Sequence, residues 1–357
     1  MPKQVLKVFL ILLLMFSLSA CTFPSLSGKK NQPLGIFASY DKGQKWISKT
    51  EILNIGETRS FFSSSQITFL KEDPIDSRTI YAGTLESGLF YSLDKGNSWQ
   101  KTLASKGIIN DIAIDPKDSC TIYALVSNVL YKSTDCSRKW KDVYTESGKS
   151  LKTIDIDPFN TQMIYIGISD GRLLRSSDGG FQWSLLKTFD SSVNKVLINS
   201  KDAKKIYVGL KSDGIYKSED NGASWRNITE SIKVFEKDSE ITPRGVKSFR
   251  AMVLDPSKED SIIYASQFGL FTTDNGGNSW NEIKLLSKSK LVDIYGLAIN
   301  PSNSKEIYYS TISSFFKSID GGKEWISVKS PSKNLIYSIL VDRENGNNIL
   351  VGFRQIK

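Results

Sequence analysis

Six aspartates of this chain stand in one repeated setting. Asp41, Asp94, Asp135, Asp178, Asp220 and Asp320 each follow a serine by two residues and precede a tryptophan by five, in octapeptides such as "SIDGGKEW" (318–325) and "SSDGGFQW" (176–183). A seventh copy, "TDNGGNSW" from Thr273, carries Asn275 in place of the acid, and "STDCSRKW" from Ser133 carries Ser137 where the others have glycine. All seven tryptophans of the protein (Trp46, Trp99, Trp140, Trp183, Trp225, Trp280 and Trp325) close one of these copies. Repeated carboxylates could ring a metal ion or share acid–base work. The spacing favours a plainer use. A short acidic side chain accepts N–H groups of its own turn, the glycine takes a positive φ, and the indole buries a wide ring against its neighbours. These residues are read as turn builders; no catalytic residue, metal or cofactor is assigned.

Histidine is absent. That removes Ser/His and Cys/His nucleophile pairs and imidazole metal sites together. Three cysteines remain, and Cys120 and Cys136 fall in one repeat, in turns expected at the same end of neighbouring strands. In an exported chain such an even pair invites a disulfide, two separate thiols being the alternative.

The elements that position these residues follow from the period. Successive tryptophans are 53, 41, 43, 42, 55 and 45 residues apart, the length of a four-stranded propeller blade. A second motif repeats in step: "DPIDSRTIYAG" at Asp73, "DPFNTQMIYIG" at Asp157 and five relatives, the last at Asp342. Between them, "VNKVLIN" from Val193 alternates so that Val196 and Ile198 face a core, followed by "KIYVGL", "GIYKSE" and "SWRNIT" with turn residues at each junction. The two sets are out of phase: an octapeptide comes first and an Asp-Pro element last. The chain is therefore expected to be all-β, a single seven-bladed β-propeller over 34–357 with four antiparallel strands per blade. Its ring is closed by pairing the N-terminal strands with the C-terminal blade.

That topology puts octapeptides and Asp-Pro turns on one face and leaves the other for a ligand. Two insertions, 50–65 and 230–250, belong to the free face, either as a binding rim or as surface decoration. Candidate ligand-face residues are Glu57, Arg59, Glu86, Asp170, Asp213, Arg244 and Arg250. Nothing in the spacing brings two of the carboxylates together.

The N-terminus is read separately. Lys3 and Lys7 flank a thirteen-residue apolar run, 8–20, too short to span a bilayer and shaped as a secretory signal over 1–20. "LSAC" resembles the lipobox of bacterial lipoproteins, which implies lipid attachment at Cys21, a flexible tether over 21–33 and a membrane-anchored, extracytoplasmic place in a bacterial cell envelope. The signal takes two of 47 basic residues, leaving 45 against 38 acidic ones and a net charge of +7. The lysines are scattered, no basic ligand patch is evident in the sequence, and nucleic acid is not expected as a partner in that compartment.

The pattern Ser/Thr-x-Asp-x-Gly-x-x-Trp resembles the Asp-box, or BNR repeat, of sialidases and sortilin-type propellers, and it recurs in every repeat. A sialidase is set aside because the Phe-Arg-Ile-Pro signature is missing; "SFRAM" at Ser248 shares only Phe249 and Arg250. The joint Asp-Pro and Asp-box grammar is similar to that of xyloglucan-active glycoside hydrolases, which implies two propellers with a carboxylate on each. The lipid-anchored single propeller resembles in architecture the photosystem II assembly and stability factors. The expected function is a non-catalytic scaffold that holds a protein or glycan ligand on the face opposite the octapeptides, with a polysaccharide hydrolase as the alternative.

Overall fold

The structure is a computed structural model and describes residues 32–356 apart from 54–59, 105–106, 234–242, 268, 287–292 and 313. Seven four-stranded antiparallel sheets form the blades of one propeller: 67–103, 109–145, 151–188, 193–227, 249–283, 296–328, and a seventh assembled from 335–354 and 36–48. They are numbered 1 to 7 in that order, and the strands of each are a to d from the channel outward. The leading strand in sequence, Ile36–Ser39, becomes strand c of blade 7 by pairing with Ile349–Arg354, Phe37 opposite Val351 and Ala38 opposite Leu350. Ring closure by the two chain ends is thus as the phase offset implies. No helix among the described residues is long and apolar enough to cross a membrane.

The core lies between blades rather than within them. Seven clusters of buried side chains each straddle one blade junction; Val193, Val196 and Val208 of blade 4, for example, pack on Tyr165 and Leu173 of blade 3. Val196 and Ile198 are buried as the alternation requires. The glycine that ends the Asp-Pro motif belongs to this packing. A Cβ on Gly209 would run into the Phe249 ring of the next blade, and one on Gly167 into Val193.

The octapeptides build the turns between strands c and d. In all seven the first residue, a serine or threonine with 1% exposure, accepts the N–H of the fifth residue, as in Gly180 N to Ser176 Oγ at 2.9 Å. The acid accepts that hydroxyl and the N–H groups of residues further on: Asp178 Oδ1 takes Ser176 Oγ at 2.8 Å and Gln182 N at 2.9 Å. Positive φ occurs at two consecutive positions, the fourth and the fifth, including Cys136 and Ser137 in the divergent copy. The fourth residue's N–H then reaches the a–b turn of the same blade, as from Lys95 to Arg78 O at 2.9 Å and from Cys136 to Cys120 O at 3.2 Å. Cys120 and Cys136 are joined by a disulfide across those two turns. Five indoles donate to the preceding blade, as Trp99 does to Lys49 O at 2.9 Å; Trp183 and Trp225 donate within their own turns. Trp99 is fully buried and Trp325 nearly so; the other five rings are half-buried.

The insertions carry the only departures from the blade plan among the described residues. Glu51–Ile52 and Ser60–Phe61 pair as a small hairpin, from which Phe62 stacks on Phe90 and meets Trp99 edge-on. The second insertion contributes a 3-10 turn, Ile228–Ser231, and a short α-helix, Pro243–Lys247, whose Val246 is buried.

Candidate functional site

Each a strand runs down the channel wall, and one of its positions has a constant character. Thr68, Asn110, Lys152, Asn194, Arg250, Tyr295 and Tyr337 stand five residues before the Asp or Asn that opens each a–b turn. In six blades this residue is skipped by the ladder. Leu151 pairs with Ile168 and Thr153 with Gly167, for instance, leaving Lys152 between them; the same slip isolates Thr68, Asn110, Asn194, Arg250 and Tyr337. Such a β-bulge re-aims its extra side chain. The seventh member, Tyr295, lies one residue ahead of its strand, Gly296–Asn300. All seven line one cavity of about 700 Å³ at the channel mouth opposite the octapeptide turns.

The ring is partly satisfied from within. Thr68 Oγ1 donates to Ile109 O at 2.6 Å, and Asn110 Nδ2 to Leu151 O at 2.7 Å. Arg250 is paired with Asp293 at 2.9 Å, and the Arg354 guanidinium lies 3.3 Å from the centroid of the Tyr337 ring. Below the ring, Asp111 accepts Thr153 Oγ1 at 3.1 Å and Lys195 Nζ at 3.4 Å. Burial opposes the charge of Asp111, yet the ammonium groups of Lys195 and Lys71 keep its pKa below the usual carboxylate range.

Lys152 and Lys211 differ. Among the described residues neither ammonium has a hydrogen-bond or ion-pair partner. Lys152 is half-buried, and burial together with the nearby charge of Lys211 pushes its pKa below the ordinary lysine value. Among the described residues, five cations line the cavity (Lys152, Lys195, Lys211, Arg250 and Arg354) against one carboxylate, Asp111. A second cavity of about 740 Å³ adjoins it, sharing Leu85, Ile108, Tyr295, Tyr337 and Arg354. Leu85, Ile108, Ile312, Leu335 and Ile356 give it an aliphatic side, next to the polar Gln66, Glu86 and Gln355, and three of the aliphatic residues are exposed: Ile108 at 43%, Ile312 at 47% and Ile356 at 44%.

Of the candidate ligand-face residues, Arg250 is in the ring and Glu86 is at the rim of the aliphatic lobe. Asp170 and Asp213 lie on this face outside both cavities. The first is bound to Arg172 at 2.9 Å, the second to Tyr216 at 2.8 Å and Lys247 at 3.2 Å. Glu57 and Arg59, like Cys21 and its tether up to residue 31, are outside the described residues, as is the side chain of Arg244. No two of the described candidate carboxylates meet. The sequence reading also found no basic patch, whereas the mouth gathers one: Lys152 and Arg250 from the ring, Lys195, Lys211 and Arg354 from beside it. Its members are up to about two hundred residues apart, and only closure of the ring brings them together. The available signal was positional: one polar residue at the same offset in all seven repeats.

No family model matches the chain. A curated xyloglucanase of Paenibacillus sp. is 23% identical in an alignment of 185 positions that covers 40% of this chain and 18% of that enzyme. Among solved structures, a GH74 xyloglucanase from Xanthomonas campestris superposes with TM-score 0.63 at 17% identity, over 81% of this chain and 51% of that one. The structure described as YCF48 bound to D1 peptide superposes with TM-score 0.60 at 16% identity, over 86% of this chain and 100% of that one. The chain thus spans about half of the xyloglucanase structure and the whole of the YCF48 chain. At these identities the likeness shows the fold: a seven-bladed β-propeller.

Proposed function

We propose that this protein is a non-catalytic, extracytoplasmic binding platform, anchored through a lipid on Cys21, that holds a segment of another protein at the channel mouth ringed by Thr68, Asn110, Lys152, Asn194, Arg250, Tyr295 and Tyr337. The observation that carries this reading is the composition of the mouth: five cations and one carboxylate. Glycoside hydrolysis needs two carboxyl groups facing each other across the substrate, about 5–10 Å apart; among the described residues that line this cavity Asp111 is the one carboxylate, held by Thr153 and Lys195. Every tryptophan of the chain is committed to an octapeptide at the other end of the blades, and the aromatic rings at the mouth are those of Phe69, Phe249, Tyr295 and Tyr337. Similarity to xyloglucanases supports the second reading, a polysaccharide hydrolase.

The two separate on one experiment. A photo-crosslinking residue placed at Ser192, on the mouth, is compared in the protein's own membranes with one at Phe159, exposed in an a–b turn on the opposite face. A defined protein adduct from position 192 and none from 159 is the expected result. Release of oligosaccharides from xyloglucan by the purified chain, with no adduct, would replace the platform by the enzyme.

A further inference from the structure

Resting on that reading of the mouth as a protein-binding site, we propose that the segment it takes is an extended peptide presenting a carboxylate to Lys152 and Lys211 and an aliphatic side chain to the lobe formed by Leu85, Ile108, Ile312, Leu335 and Ile356.

Two independent features of the mouth define these ends. On one side, Lys152 and Lys211 come from adjacent blades, one from a bulge in strand a of blade 3 and the other from the b–c turn of blade 4. The two side chains line one cavity, the Lys211 ammonium close enough to disfavour the charge of Lys152, and no described carboxylate neutralises either. Two unpaired cations side by side, one of them half-buried, oppose folding unless an anion bridges them. Every other cation of the wall is committed: Lys195 to Asp111, Arg250 to Asp293, Arg354 to the Tyr337 ring and Ile67 O. On the other side, Ile108, Ile312 and Ile356 leave aliphatic surface open to water around a concavity, the arrangement expected of a subsite rather than of scattered surface residues. The lobe's two aromatic rings are those of Tyr295 and Tyr337, and the Arg354 guanidinium already lies over the second. Tyr295, Tyr337 and Asn194 also line the mouth, with polar atoms that can meet the N–H and C=O groups of a peptide backbone.

The probe is a library of eight-residue synthetic peptides immobilised with either a free C-terminal carboxylate or an amide, binding the purified ring (residues 32–357). Enriched peptides are expected to combine an Asp, Glu or free terminus with a Leu, Ile or Val a few residues away. The double variant K152Q/K211Q should weaken the best of them at least tenfold and flatten the salt dependence. Ile312→Asp should weaken it comparably at any salt concentration. Because K152Q/K211Q removes an unpaired charge pair, its melting temperature should be no lower than that of the parent, so loss of binding is not loss of fold.

Enrichment of basic or uncharged peptides, or unchanged binding by K152Q/K211Q, overturns the proposal. So does failure of every peptide while vesicles containing anionic phospholipid, or xyloglucan oligosaccharides, bind in a Lys152-dependent way. If position 192 still crosslinks to a protein when no peptide is selected, the platform stands and only this choice of ligand falls.

Discussion

At the scale of single residues, the octapeptide acid works through its shape. Asn275 stands where the other copies have aspartate, and its amide oxygen accepts Thr273 Oγ1 at 2.8 Å and Ser279 N at 3.0 Å, the contacts a carboxylate makes elsewhere. Asp178→Asn should therefore shift stability by no more than about 0.5 kcal/mol. Ser176→Ala leaves the buried N–H of Gly180 without its acceptor and should cost roughly 1–2 kcal/mol; urea denaturation of the two variants side by side tests the ordering. Hydrogen bonds from Ser224, through its hydroxyl and its N–H, and from the Ser218 hydroxyl pull the pKa of Asp220 down to about 2. A carboxyl with a depressed folded-state pKa stabilises the fold above its unfolded value, and that contribution fades as pH falls from about 4 towards 2. Glu72 behaves in the opposite sense. Burial at the junction of blades 7 and 1 raises its pKa to about 7, outweighing the Arg343 guanidinium at 3.0 Å. The folded state then holds a proton that the unfolded chain releases, so stability declines as pH climbs from about 4.5 to 7. Glu72→Gln should flatten that slope and raise the melting temperature at pH 8, worth roughly 1 kcal/mol once partial exposure is discounted. A variant that melts lower at pH 8 than the parent would show that the ion pair with Arg343 outweighs burial.

At the scale of strands, what the sequence displays and what it conceals have different causes. Turns are legible because their chemistry is local: Asp157 accepts Phe159 N and Asn160 N two and three residues away, and Asn199 does the same for Lys201 and Asp202. Alternation in "VNKVLIN" likewise puts Val196 and Ile198 inside without knowledge of any neighbour. The bulge is harder to see. Asn194 breaks no pattern on its own, and its displacement from the ladder shows only when strand a is set against strand b, where Val193 faces Leu210 and Lys195 faces Gly209. The second positive φ of the octapeptide was hidden for a related reason. The fourth position holds Lys42, Lys95, Cys136 and Asn221 as well as glycines, so residue type alone does not reveal a left-handed backbone. Close approach between blades gives a prediction at this scale. Gly209→Ala places a methyl against the rigid Phe249 ring and should cost about 1–3 kcal/mol through overpacking, read as a drop in denaturation midpoint. An additional Phe249→Leu change should recover part of it; no recovery would place the strain elsewhere.

At the scale of the whole molecule, strand count and ring closure were legible because the two repeat sets are out of phase by half a blade. The binding surface was not. Lys152, Lys211, Arg250 and Arg354 look scattered along the chain, and they share a mouth only because seven a strands converge on one channel. Each blade lends its buried face to the next, so no blade is self-sufficient. Removing residues 33–48 strips strands c and d from blade 7 and bares Ile349–Arg354 as an open edge. Such a chain should lose its single cooperative melt and associate, as seen by size-exclusion chromatography; a monomer with the parent's melting profile would mean that closure contributes little.

Closure also has a mechanical side. The strand that completes blade 7, Ile36–Ser39, starts at the same face as the mouth, where Pro33 O accepts Ser332 Oγ at 2.7 Å, and Arg354 at the end of its partner strand reaches that face too. If Cys21 holds the protein to a membrane, any tug between the membrane and a captured partner travels through residue 33 into this strand along its length. The four residue pairs with Ile349–Arg354 are then loaded in shear, all together, rather than peeled one at a time. The hasp of the ring would thus double as its tow line, drawn against the blade from the side on which the cargo sits.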